Sequence, residues 1–254
     1  MFTDAVFLSG CKGDKFIELA RKKVLQKYWK RMAKIAKYCL VENDYNKEAV
    51  LKFCPNVEKI AGPMDTENCP IKTGRKDGPI IIGWTGSPFT TKYIYGIKDA
   101  LLKLSQKYNI VLRIVGAKKD FNIEGVIFEI KEWGINTELD WLLTFDIGIM
   151  PLTDDEWTRG KGGYKLLQYM SVGIPAVASP VGINNEIIED GVSGFLAKTN
   201  QQWEDRLSKL IEDENLRTQM GHRSRAIIEE RYSLLKATEK LINIFEKVLK
   251  ESKT

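Results

Sequence analysis

Histidine is almost missing from this chain: His222 is the single one in 254 residues. That speaks against a zinc site and against a Ser/His or Cys/His nucleophile pair. Cysteine is scarce as well. Cys11, Cys39, Cys54 and Cys69 all lie in the first 70 residues and form no CxxC pair, which reads as reduced thiols in a cytoplasmic protein. No apolar run reaches about 18 residues, so no spanning helix is expected. The opening Met-Phe-Thr-Asp-Ala-Val lacks the basic stretch that begins a secretory leader. At 29% charged and 43% apolar residues, the chain is neither disordered nor fibrous and is long enough to bury a sizeable core.

Charge is unevenly spread. Residues 1–78 hold 16 Lys/Arg against 10 Asp/Glu, whereas residues 79–254 hold 23 against 24. The basic front and the neutral back are therefore read as different units. The front opens with a helical stretch over 14–39, in which Phe16, Ala20, Val24, Tyr28, Met32 and Ala36 recur every four residues. A strand at 40–41, a helix at 45–53 and a strand at 57–60 follow. Turn residues crowd the segment 61–79, as a linker requires.

Beyond the linker the pattern becomes regular. Strands are expected at 80–84, 110–115, 126–130, 147–150 and 176–178. Helices are expected at 91–107, 139–145, 161–172 and 201–211, with a last one at 233–250. Alternation of this kind predicts an α/β fold, a doubly wound, Rossmann-like parallel sheet that binds ligands at the C-terminal ends of its strands. The glycine turn Gly83-Trp84-Thr85-Gly86-Ser87-Pro88 is not a G-x-G-x-x-G fingerprint, which speaks against a nicotinamide or flavin dinucleotide.

The segment 146–180 is the richest in chemistry. Its strand ends at Met150-Pro151, and Arg159-Gly160-Lys161-Gly162-Gly163 then leads into an amphipathic helix. Free N–H groups at such a helix start face an anion, and glycines let its backbone approach. Arg159, Lys161 and Lys165 add full charges. A diphosphate suits this turn; a solvated basic turn that merely starts a helix is the other reading.

The order of motifs resembles the C-terminal half of group 1 glycosyltransferases, a retaining family with the two-domain GT-B fold. The resembling runs are DIGIMPL, TRGKGGYKLLQYMSVGIPAVASPVG, EIIEDGVSGFLA and the later LIEDENLRTQMGHRSR with ERYS. Upstream, IIIGWTGSP and LRIVG match the first donor-domain strands, and AKYCLVENDYNKEAVLKFCPNVEKIAGPMDTE is similar to the end of the acceptor domain. The resemblance implies a remnant of the acceptor domain and linker at 1–78, a nucleotide-sugar donor domain at 79–232, and a helix over 233–254 that crosses back to the front.

It further implies that Gly86 and Ser87 border the donor diphosphate on one side. Arg159, Lys161, Gly162, Gly163, Tyr164 and Lys165 hold it on the other. The two positions of the family's E-x7-E motif fall on Gly160 and Gln168. Gln168 is expected to reach the ribose through its amide oxygen. Trp133 either stacks on the nucleobase or packs on the protein, and Glu138 either contacts the nucleotide or caps a helix. Asp154, Asp155 and Glu156 are read as a solvated loop, because the family generally needs no metal; no cofactor is expected beyond the nucleotide sugar itself.

The implied activity is sugar transfer, with retention, to an unknown acceptor such as a lipid-linked glycan. A non-catalytic nucleotide-sugar-binding subunit, completed by a second chain, is the alternative. The basic helix 14–39 either lies on the inner face of a membrane or packs on its own domain. Nucleic acid is not expected as a partner, since no recognised module accompanies the charge.

Overall fold

The computed structural model describes residues 15–74 and 77–251, with side chains from residue 24 onward. Cys11 and the start of the expected front helix at Asp14 lie outside the described residues. The front unit comprises α1 (Lys15–Ile35), β1 (Cys39–Val41), α2 (Asp44–Leu51) and β2 (Val57–Lys59), with β1 and β2 paired in parallel. Trp29 and Ala33 of α1 pack with Cys39, Val41, Val50, Cys54 and Val57 into a small core.

The second unit is built on β3 (Ile80–Thr85), β4 (Ile110–Val115), β5 (Phe128–Lys131), β6 (Ile147–Met150), β7 (Ala176–Ala178) and β8 (Gly194–Leu196). All pair in parallel, in the order β5-β4-β3-β6-β7-β8. The chain winds outward from β3 in one direction and returns to β6 to wind out in the other. The order therefore reverses between β3 and β6. On one face α3 (Lys98–Lys107) and α8 (Asn200–Glu212) pack on the sheet, and on the other lie α4 (Glu138–Leu143) and α6 (Tyr164–Ser171). Short helices α5 (Glu156–Arg159) and α7 (Asn184–Ile187) fill the loops after β6 and β7, and α9 (Glu214–Ile227) follows α8.

At the reversal, Gly83 of β3 stands opposite Gly148 of β6. A Cβ at Gly83 would lie 2.0 Å from the Phe145 ring, and one at Gly148 would lie 2.5 Å from the Tyr169 ring. The two rings meet edge to face at 6.1 Å. The buried Tyr169 hydroxyl accepts the Thr85 N–H at 3.0 Å, at the last residue of β3. Burial pushes this phenol well above its ordinary pKa, so it stays a neutral hydroxyl. Two glycines thus make room for two aromatics, and α6 lies directly on the sheet.

Strand patterns were read closely, but several helix edges moved. The expected helix 91–107 is a 3-10 turn over Thr91–Ile97 followed by α3. The expected helix 161–172 begins only at Tyr164, because Gly163 takes a left-handed φ of 70°. The elements β8, α5 and α7 were not anticipated; each has four residues or fewer, too short to show a period.

The segment 61–79 runs across the surface and is pinned at both ends. The buried Arg225 guanidinium donates to the carbonyls of Thr66, Cys69 and Ser171. Lys72 pairs with the buried Asp146 at 2.6 Å. Past α9, a π-helical turn over Ile228–Tyr232 leads to α10 (Leu234–Glu251), whose Ala237 and Ile244 pack on Ile60, Tyr38 and Leu40 of the front unit.

Gly83→Ala is expected to cost about 1–3 kcal/mol of stability in equilibrium urea unfolding, since the added methyl meets a fully buried ring. A midpoint equal to that of the parent protein would show that the glycine pair is not needed for α6 to seat.

Candidate functional site

The loops that leave β3 and β4 approach closely. The Gly86 N–H donates to Val115 at 3.0 Å, and a Cβ at Gly116 would stand 2.2 Å from the Gly86 carbonyl oxygen. Beside them opens a cleft of about 670 Å³, lined by Gly86, Ser87, Gly116, Lys119, Lys131 and Trp133 among others. Trp133 is 48% exposed, and its indole N–H donates to the Glu138 carboxylate at 2.8 Å. These two residues therefore form one unit at the cleft wall. Glu138 is the first residue of α4, behind an N-cap at Thr137, so the capping role read from sequence is corrected: its carboxylate serves Trp133.

On the other side of the reversal, Asp155 opens α5 with a capping box shared with Thr158. Burial alone would raise the Asp155 pKa. The Thr158 N–H at 2.9 Å and the Thr153 hydroxyl at 2.8 Å outweigh it and hold the carboxyl below its ordinary value of 3.8. Arg159 pairs with Asp154 at 2.6 Å, so the acidic loop is in large part spent on local bonds.

The glycine-lysine turn follows. Lys161 rests with its ammonium 5.4 Å from the centre of the Trp157 ring, and Lys165 lies 5.6 Å from that of Trp84. A Cβ at Gly86 would come within 2.8 Å of the Lys165 side chain. The structure therefore brings the Gly86 loop and the start of α6 together across the strand reversal. Gly163 is required here twice over, by its positive φ and because a Cβ would lie 2.4 Å from Ile187. Tyr164 is 53% exposed at the helix start, whereas Gln168, one turn further on, is 5% exposed. Ser87 lines the cleft and its hydroxyl lies 3.3 Å from that of Thr90.

Three contributors escaped the sequence reading, and all come from the front unit. The Asn43 amide donates to the Lys161 carbonyl at 2.9 Å, and the Asn46 amide donates to the Gly160 carbonyl at 3.0 Å. Asn43 also caps α2 through the Asn46 N–H. A Cβ at Gly162 would lie 1.9 Å from a Glu42 carboxylate oxygen, so glycine is needed there to admit Glu42. The available signal was the spacing Asn43-x-x-Asn46 at a helix start, which looks like an ordinary cap.

This is the architecture of a GT-B donor domain: a Rossmann-like sheet with a cationic glycine turn opening a helix at the strand reversal. The chain belongs to the group 1 glycosyl transferases, whose family pattern matches residues 65–227. It is 36% identical over 94 residues to an uncharacterized glycosyltransferase of Methanocaldococcus jannaschii, a match that covers 35% of this chain and 24% of the other. It is 30% identical over 93 residues to the N-acetyl-alpha-D-glucosaminyl L-malate synthase of Bacillus anthracis, covering 36% and 24%. Each match thus spans about a quarter of the curated relative's length.

Among solved structures, S. aureus TarM in complex with fondaparinux, alpha-GlcNAc-glycerol and UDP superposes with a TM-score of 0.71 at 20% identity, over 94% of this chain and 49% of that one. Anabaena HepE in complex with UDP and glucose superposes with a TM-score of 0.69 at 14% identity, over 91% and 67%. At such identities the likeness establishes the shared fold.

Asn46→Ala is expected to cost about 1–3 kcal/mol by leaving the buried Gly160 carbonyl without its donor, read from urea unfolding. The pH response follows from Asp155. Because its pKa is lowered by folding, its contribution is complete above about 3.8 and is lost as pH falls through its folded value. Asp155→Asn is expected to flatten the fall of the thermal midpoint below pH 3.8; an unchanged profile would count against this assignment.

Proposed function

We propose that this chain carries the donor half of a glycosyltransferase that moves a sugar from a nucleoside diphosphate to an acceptor, with retention at the transferred carbon. The observation that carries this reading is the meeting of the Gly86 loop with Lys165 at the strand reversal, where open parallel sheets bind nucleotides. Asn43 and Asn46 take the carbonyls of the turn. This turns the peptide groups of 160–163 so that their N–H sides are left for an anion.

In sugar transfer the bond from the anomeric carbon to the diphosphate breaks first or furthest, and negative charge builds on the leaving phosphate. Backbone N–H groups, the α6 dipole and Lys161 and Lys165 are placed to stabilise that charge. Arg159 takes the outer position of this set, since Asp154 already neutralises it in part. Gln168 would accept a ribose hydroxyl, and the Trp133–Glu138 pair would face the base at the cleft wall. UDP is the first nucleotide to try, because the TarM and HepE complexes hold it. Retention rests on the family resemblance alone.

The test is thermal stabilisation by UDP, GDP and their sugars, with NAD(P) as the dinucleotide control. A nucleoside diphosphate present at about 100 times its Kd adds roughly 2.7 kcal/mol of stability. Lys161→Ala combined with Lys165→Ala is expected to weaken that binding on the order of 100-fold with the fold intact, because each charge-assisted bond contributes about 1.5–3 kcal/mol. Unchanged affinity would remove the donor site from this turn, and stabilisation by NAD(P) instead would refute the transferase reading. Binding without hydrolysis or transfer of the sugar would favour a donor-binding subunit completed by a second chain.

A further inference from the structure

Helix α1 is apolar on two sides. Trp29 and Ala33 face the small core of the front unit. Val24, Leu25, Tyr28, Met32 and Ile35 form a second stripe, spaced by three and four residues, that is turned outward. Tyr28 is 65% exposed and Ile35 is 71% exposed. A helix of a folded domain has little reason to display a continuous apolar stripe over three turns unless something covers it.

Charge indicates what covers it. Between Glu18 and Glu42 there are eight Lys/Arg residues and no acidic residue. Lys27, Lys30, Arg31 and Lys34 are exposed on the arc beside the stripe. Among the described residues, none of these four is in an ion pair with a carboxylate. The other outward apolar residues, Ile242, Phe245 and Leu249 on α10, sit among Glu239, Glu246 and Glu251 as well as lysines, so that helix lacks the single-sign pattern. No described helix is long and apolar enough to cross a membrane.

We propose that α1 docks on an anionic lipid surface, with the Tyr28–Met32–Ile35 stripe in the headgroup–acyl boundary and Lys27, Arg31 and Lys34 against lipid phosphates. The two features needed for such binding, an apolar strip and an adjoining cationic arc, are present on one helix. The inward face of α1 stays on its own core, so docking needs no unfolding. The inference does not depend on the donor site.

Sedimentation of the full chain with vesicles tests it. Vesicles of phosphatidylcholine with about one-third phosphatidylglycerol are expected to take up the protein at least tenfold more strongly than phosphatidylcholine alone, and raised salt is expected to reduce the uptake. Tyr28→Ser with Met32→Ser and Ile35→Ser, and separately Lys27→Gln with Arg31→Gln and Lys34→Gln, should each lower uptake about tenfold. These positions are exposed, so circular dichroism and the thermal midpoint should match the parent protein. Equal uptake by neutral and anionic vesicles, no uptake by either, or undiminished uptake of a folded variant would overturn the proposal. Self-association of the chain that only the serine variant abolishes, without vesicle binding, would assign the stripe to a second copy instead.

Discussion

A pair of glycines facing each other across two strands decides how closely one helix can approach the sheet. Where β3 meets β6, Gly83 and Gly148 leave a hollow that Phe145 and Tyr169 fill from one face. Tyr169 belongs to α6 and reaches through to the last N–H of β3. The seating of that ring therefore fixes both the depth and the direction of the helix. The start of α6 then arrives beside Gly86, and nowhere else along the sheet could the two meet. The order reversal supplies a crevice; the paired glycines determine which helix N-terminus opens into it.

The turn ahead of α6 faces a second constraint, the need of buried backbone groups for partners. Asn43 and Asn46 satisfy two of its carbonyls from a different unit of the chain. The small front unit is thus part of the site's construction, and the amides hold the turn in the orientation that an anion needs. Glu42, seated against Gly162, places a carboxylate at the rim of the same turn. A negative group so near a phosphate favours hydroxyl donors on its other side, which is the character of a sugar.

The three cations of the turn are held differently. Arg159 is in a short ion pair, while Lys161 and Lys165 lie over the faces of Trp157 and Trp84. An exposed cation–π contact stabilises by only about 0.5–1 kcal/mol. Turning a lysine from indole to phosphate costs little, whereas drawing Arg159 from Asp154 costs the pair. The lysines are therefore the groups that respond to a charge developing in the cleft. They also keep the empty turn from gathering unpaired positive charge.

Much of this was legible in residue order. Period-two and continuous apolar runs mark β3, β4 and β6, and the cluster RGKGG announces a helix start fit for an anion, because backbone freedom and charge are local properties. Short elements such as β8 and α7 left no period to read. That Arg159 is committed to Asp154, that Glu138 bonds Trp133, and that Gly160 and Lys161 are held from positions 43 and 46 are facts of spatial meeting between segments as much as 118 residues apart. Residue spacing states which chemistry a segment can offer. Only packing in three dimensions decides which of those groups face the cleft and which are used up by a neighbour, since a hydrogen bond depends on distance in space and not along the chain.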